Sequence, residues 1–242
     1  MSIKRILKSV ETRSKNSLRK LLTPRAIKAL GAASRSVRTL EDAVDLAKGF
    51  NYCHIRLDPS QISAEILALL KLLAVKPPRT VMEIGTYRGG TFFLFSRVAA
   101  PDALLISLDL PPGGSGLGYP PWRGNLFRSF ARDQQKIELV RANSHDDGTV
   151  KQIKQLLGNR PLDFLFIDGD HTYAGVKHDY ELYAPLVRRG GLIGFHDIVP
   201  RKPAPCGVPE FWQELKTVRR ITEYVASRQQ SGFGIGVVHV QE

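Results

Sequence analysis

From Gln61 onward, short apolar runs alternate with stretches of helical periodicity. "SAEILALLKLLAV" predicts a helix with a broad apolar face. "RTVMEIG" (79–85) predicts a short buried strand running into glycine, and "GTFFLFSRVAA" (90–100) a helix. "ALLISLDL" (103–110) predicts a second strand ending in an acid, and "KIELVRAN" (136–143) a third. "DGTVKQIKQLLG" (147–158) then predicts a helix. "LDFLFID" (162–168) predicts a fourth strand, "YAGVKHDYELYAPLV" (173–187) a helix and "GGLIGFHDI" (190–198) a fifth strand. "VPEFWQELKTV" (208–218) predicts a helix, and "RITEYVA" with "FGIGVVHV" a closing hairpin. Alternating strands and helices imply an α/β fold, with a mostly parallel sheet and helices on both faces. Such sheets bind ligands beyond the carboxyl ends of their strands, at the topological switch point.

The N-terminal stretch reads differently. Ile3, Ile6, Leu7 and Val10, then Leu18, Leu21 and Leu22, have helical spacing opposite a cationic face. "TPRAIKALG" predicts a second short helix, capped by Thr23, started at Pro24 and ended by Gly31. Residues 1–60 are therefore expected to form a basic helical arm, and residues 61–242 the main domain.

Charge sharpens that division. Residues 1–38 hold eleven Lys or Arg and one acid, so they carry +10 of the formal net charge of +12. The remainder is nearly neutral, which gives no general nucleic-acid-binding surface. The arm is expected to pack on its own domain or on a second copy in a homo-oligomer. A peripheral anchor on anionic lipid is an alternative, as is a cleaved mitochondrial-type presequence. The apolar fraction of 43% is that of a globular domain. No apolar run approaches the roughly 20 residues of a membrane span, and no secretory h-region is visible. A cytoplasmic location, or one peripheral to the inner membrane face, is expected. Cys53 and Cys206 match no metal or redox spacing. The Gly- and Pro-rich stretch 111–124 follows a strand at the ligand-binding edge, so a mobile lid is expected there.

"VMEIGTYRGGTFFLF" is the most specific stretch. Glu83 leads into Gly85, then a loop with Gly89 and Gly90 opens a helix. The spacing misses G-x-G-x-x-G, and there is no P-loop Gly-Lys-Ser/Thr. An acid before the first glycine suits a cationic ligand better than a pyrophosphate.

With the acid at Asp109 and the terminal hairpin, this turn resembles the class I S-adenosylmethionine-dependent methyltransferases, over about residues 60–242. The resemblance implies a Rossmann-like doubly wound sheet of seven strands with a reversed last strand. It places the donor's methionine and ribose at the turn of Glu83, Gly85, Thr86, Tyr87, Gly89, Gly90 and Thr91. Asp109 would hold the ribose hydroxyls. Asn143 and Ser144 of "RANSHDD" would meet the adenine, with His145 a further candidate. Asp168 completes the cofactor set.

"FIDGDHTYAGVKHDYELYAPLVRRGGLIGFHDI" is similar to a narrower branch, the metal-dependent small-molecule O-methyltransferases. Sugar O-methyltransferases and cephalosporin-hydroxylase-like proteins are the nearer members, catechol O-methyltransferase a more distant one. The resemblance implies a divalent metal, expected to be magnesium, held by Asp168, His196 and Asp197, with His171 as the base. His196 departs from the pattern, because the sugar enzymes have an acid there. Imidazole suits zinc, manganese or iron better than magnesium. Asp170 is expected to cap the next helix, and His54 and His178 to be surface or packing residues. The acceptor implied is a hydroxyl on a sugar or other polyhydroxylated small molecule. Two rivals are a nucleic-acid methyltransferase using the basic arm and a non-catalytic binding protein that keeps the fold. The first lacks the Asn/Asp-Pro-Pro-Tyr/Phe signature and a catalytic cysteine motif; the full acidic set opposes the second.

Overall fold

The computed structural model describes residues 3–113, 118–203 and 206–241, with residues 3–14 described by backbone alone. Four of the residues assigned to the expected lid, 114–117, lie outside the described residues, as do the side chains of Ile3, Ile6, Leu7 and Val10.

The chain opens with helix α1 (Ile3–Ser34) and α2 (Leu40–Gly49). A small antiparallel hairpin follows, β1 (Asn51–Tyr52) with β2 (Ile55–Arg56), then α3 (Ser63–Val75). The alternating part comprises β3 (Thr80–Ile84), α4 (Gly90–Val98), β4 (Leu104–Asp109), α5 (Arg123–Arg128), β5 (Lys136–Arg141), α6 (Asp147–Leu157), β6 (Leu162–Ile167), α7 (Tyr173–Tyr183) and β7 (Val187–His196). The chain closes with α8 (Val208–Val218), β8 (Arg220–Tyr224) and β9 (Ile235–His239).

Seven strands form one sheet in the order β5-β4-β3-β6-β7-β9-β8. The first five run parallel, and β9 pairs antiparallel with both neighbours. The chain leaves β3 toward β4 and β5, then returns to β6 on the other side. The switch point therefore lies between the carboxyl ends of β3 and β6. Alternation along β3 divides the interior. Val81 enters the core under α2, α3 and α4, and Met82 the core under α6, α7 and α8.

The N-terminal segment departs from expectation in two ways. The helix runs unbroken through Pro24 and Gly31. Thr23 is not a cap; its hydroxyl donates to the Arg19 carbonyl at 2.7 Å. Ala26 and Leu30 are buried in the main core. That packing outweighs the roughly 1 kcal/mol preference of Gly31 against helix interiors. Periodicity also left α2 unassigned. Thr39 starts it with a capping box, in which Asp42 N–H donates to the Thr39 hydroxyl and the Asp42 carboxylate accepts from the Thr39 N–H. Ala43, Val44 and Ala47 of α2 are buried. From Thr23 onward, the segment before residue 60 thus contributes buried residues to the main core, with α1 against α5 and α2 against α3 and α4.

Candidate active site

Register brings the acidic residues together. Ile84 pairs with Leu108 and Ile167, so Gly85 lies beside Asp168 across the strand ends. Ile167 pairs with Phe195, which sets Asp168 beside His196. A Cβ on Gly85 would lie 2.0 Å from the Asp168 carbonyl oxygen, and its φ is +90°. Only glycine allows that approach. A Cβ on Gly89 would strike the Phe127 ring, and one on Gly90 would strike Pro59. All three glycines are therefore required by protein contacts, whatever ligand the turn holds. What the turn offers a ligand is the backbone at the start of α4.

Glu83 is buried, and its Oε2 has no hydrogen-bond partner among the described residues. Burial raises its pKa well above the usual value, Asp168 and Asp109 add to this, and the Thr86 hydroxyl opposes it. Thr86 itself shares a 2.7 Å hydrogen bond with Ser107. Asp109 accepts the Tyr87 N–H at 2.6 Å and the Leu110 N–H at 2.7 Å. Burial raises its pKa, and those N–H groups oppose the rise. Thr91 donates to Gln61 Oε1 at 2.7 Å, and Gln61 Nε2 donates to Asp168 Oδ2 at 3.1 Å.

Asp168 stands at the centre. Its Oδ1 lies 3.2 Å from His171 Nε2 and 3.2 Å from His196 Nδ1. Burial works to raise its pKa, but the His196 charge and the hydrogen bonds from both histidines win and hold it at about 2. The Asp168 hydrogen bond raises the pKa of His171 against burial. Burial lowers that of His196, and Asp168 more than reverses it. Asp197 joins from the other side, with Oδ2 3.5 Å from His171 Nδ1 and Oδ1 3.8 Å from His196 Nδ1. Its φ of 59° is left-handed, and the Phe233 N–H fixes its Oδ1 at 3.0 Å. Such a backbone costs about 1–3 kcal/mol and persists where the surroundings enforce it.

Three further placements differ from the sequence reading. Thr172 caps α7, accepting the Gly175 N–H at 3.0 Å, while Asp170 accepts the Thr172 N–H at 2.9 Å in the turn before it. Cys206, unremarkable in spacing, has its sulfur in one cluster with His171 and Asp197, all ligand atoms lying within 4.8 Å of one another. Gln61 links the α4 turn to Asp168. No local signal marks Cys206 or Gln61, because only the fold brings them to the strand ends.

Asn143 and Ser144 lie beyond β5. Asn143 is exposed and bonds Asp146 and the His145 N–H, and the Ser144 carbonyl accepts the Tyr183 hydroxyl at 2.8 Å. Among the described residues no hydrogen bond joins them to the Asp168 cluster. His145 faces buried Asp179 at 3.3 Å and packs edge-on against His178.

The residues fit the two groups that the sequence implies. An orphaned buried carboxylate oxygen on Glu83 and a second acid at Asp109 suit a ligand that is cationic at one end and hydroxylated at the other. Asp168, Asp197, His171, His196 and Cys206 offer oxygen, nitrogen and sulfur donors, and buried His196 Nε2 has no partner among the described residues. That set suits zinc, manganese or iron better than magnesium, which prefers oxygen alone.

Comparisons place the chain. Residues 82–198 match the family model described as "Methyltransferase domain". Protein R132 of Acanthamoeba polyphaga mimivirus is 30% identical over 67% of this chain and 68% of its own length. Tapetum-specific methyltransferase 1 of Arabidopsis thaliana is 26% identical over 54% of this chain and 52% of its own. Protein y4gI of Sinorhizobium fredii (strain NBRC 101917 / NGR234) is 27% identical over 59% of this chain, which spans only 15% of that protein. Among solved structures, the O-methyltransferase TomG from Streptomyces achromogenes, in complex with SAM, superposes with a TM-score of 0.54 at 17% identity, covering 87% of this chain and 94% of TomG. CalS11, a TDP-rhamnose 3'-O-methyltransferase, gives 0.55 at 15% identity, covering 91% and 93%. With the reversed β9 and the switch point between β3 and β6, residues 82–198 belong to the family of that methyltransferase domain, and the sheet has the fold of the O-methyltransferases TomG and CalS11.

Proposed function

We propose that the protein transfers a methyl group from S-adenosylmethionine to a hydroxyl of a polyhydroxylated small molecule such as a sugar, with a divalent metal at the Asp168 cluster. The observation that carries this reading is the meeting of Asp168, His171, His196 and Asp197 at the strand ends, one register step from the Gly85 turn. CalS11 and TomG, as neighbours of the same fold, support it.

Glu83 and Asp109 hold the donor by its cationic and ribose ends, with the turn residues Thr86, Tyr87 and Thr91 framing it. Asn143 and Ser144 border the adenine end. Asp168, Asp197 and His196 would hold the metal, with Cys206 a further donor. When bound, such an ion lowers the pKa of an acceptor hydroxyl and orients it. His171 takes the hydroxyl proton on a ring nitrogen in its neutral form. Asp168 fixes that ring in place, and Gln61 fixes Asp168. The donor, when bound, would supply an electrophilic methyl carbon, whose in-line transfer forms the O–C bond as the S–C bond breaks and S-adenosylhomocysteine leaves, so the chain's own part would be mostly positioning. We place the catalytic unit at residues 61–242, with the basic segment 1–60 folded over it. Methyl transfer to a vicinal diol in chelator, then with zinc, manganese or magnesium restored, tests the metal's part; full activity in chelator rules it out.

A further inference from the structure

A cleft of about 380 Å³ lies not at the acidic cluster but in a basic hollow beside it. Arg19 of α1, Arg56 of β2, and Arg88 and Arg123 converge on it, with Tyr87 and Trp122 among its walls. Among the described residues, the one carboxylate paired there is Asp58, which binds Arg88. Arg19 and Arg56 have no acidic partner among the described residues. Arg123 is 8% exposed and also has none. Its Nη1 donates at 3.0 Å to the carbonyls of Arg56 and Arg88, which ties the hairpin to the glycine turn. Burial, then the charges of Arg88 and Arg19, push its pKa down to about 10. Like charges drawn together in a partly desolvated hollow are unfavourable until an anion joins them. Guanidinium groups match the oxygens of phosphate in pairs.

The hollow adjoins the proposed site on two sides. The Tyr87 N–H binds Asp109 at 2.6 Å. The segment from Arg56 to Gln61 runs from the hollow to Asp168, where Gln61 Nε2 lies 3.1 Å from Oδ2. Five residue steps span at most about 18 Å. An acceptor with an anionic group in the hollow can thus present a hydroxyl to Asp168 and His171.

We propose that this arginine cleft binds a phosphate or diphosphate group of the acceptor, so that the substrate is a phosphorylated polyhydroxylated molecule. The substrate assignment rests on the methyl-transfer reading, whereas the anion site stands on its own geometry. The test is calorimetric titration of the full chain, freed of metal, with inorganic pyrophosphate as probe, beside a separate titration with S-adenosylmethionine. The expected Kd for pyrophosphate is below about 1 mM. Arg19→Gln and Arg56→Gln should each weaken it by roughly tenfold or more, while the affinity for S-adenosylmethionine stays at the wild-type value. No binding at about 10 mM, or equal binding by the double variant, overturns the cleft. Failure of S-adenosylmethionine to bind the wild type would instead sink the methyl-transfer reading and leave the pyrophosphate result standing. Phosphate could also come from a lipid headgroup. Pyrophosphate binding undiminished by phosphatidylserine vesicles supports a soluble ligand, and displacement by those vesicles overturns it.

Discussion

Asp168 and His171 share one turn, and a single carboxylate oxygen holds the imidazole Nε2 at 3.2 Å. The two residues have different tasks in this site. His171→Ala should lower turnover by roughly 10²–10⁴-fold, the usual contribution of a general base. Binding of S-adenosylmethionine should stay close to wild type. Asp168→Ala removes the anchor shared by His171, His196 and Gln61, so it should abolish metal-dependent activity. Steady-state rates beside calorimetry separate the two; equal loss of donor binding in both variants would contradict the division.

Gly85 and Asp168 make the strand ends interdependent. Gly85→Ala forces a Cβ into the Asp168 carbonyl at a φ of +90°. It should cost about 2–4 kcal/mol of stability, through clash and backbone strain together. Gly148→Ala, in the first turn of α6 where nothing lies within 4 Å, is the control and should cost nothing, with a gain of up to about 1 kcal/mol. Denaturant melts of the two variants give the comparison.

Glu83 makes ligand-free stability depend on pH. Its folded pKa lies well above the usual 4.5, mainly through burial. Its stabilising contribution is therefore complete below about 4.5 and is lost as pH rises through the folded value. Glu83→Gln should flatten the decline in thermal midpoint over that window in the absence of ligand. The same variant should bind S-adenosylmethionine roughly 10- to 100-fold more weakly, the size of a lost charged hydrogen bond. An unchanged pH profile would show that Glu83 is not the group responsible.

Much of this arrangement could be read from the chain. Buried parallel strands such as Leu104–Ile106 and Phe164–Ile167 are unbroken apolar runs, and the acids Glu83 within β3, Asp109 at the end of β4 and Asp168 just past β6 have no place in such a core. Pattern failed where long-range packing overrode local signals. Gly31 is a stop signal locally, yet Leu30 beside it is buried in the main core. Arg123 falls in the Gly- and Pro-rich stretch expected to be a lid, yet it is buried and donates to two backbone carbonyls. Cys206 reaches His171 only through the fold.

The unbroken first helix gives its own test. Nothing lies within 4 Å of a Cβ on Gly31, and its φ is not left-handed. Gly31→Ala should stabilise the protein by about 0.5–1 kcal/mol. Leu30→Ala should cost about 2–5 kcal/mol, because it opens a cavity in the core. A destabilising Gly31→Ala would mean that the helix ends there after all.

The central claim meets its most direct test in a titration of the wild-type protein with S-adenosylmethionine. The account predicts one site per chain with a Kd well below about 1 mM. Absence of binding at millimolar donor would contradict it, because every role given to Glu83, Asp109 and the Gly85 turn depends on that ligand.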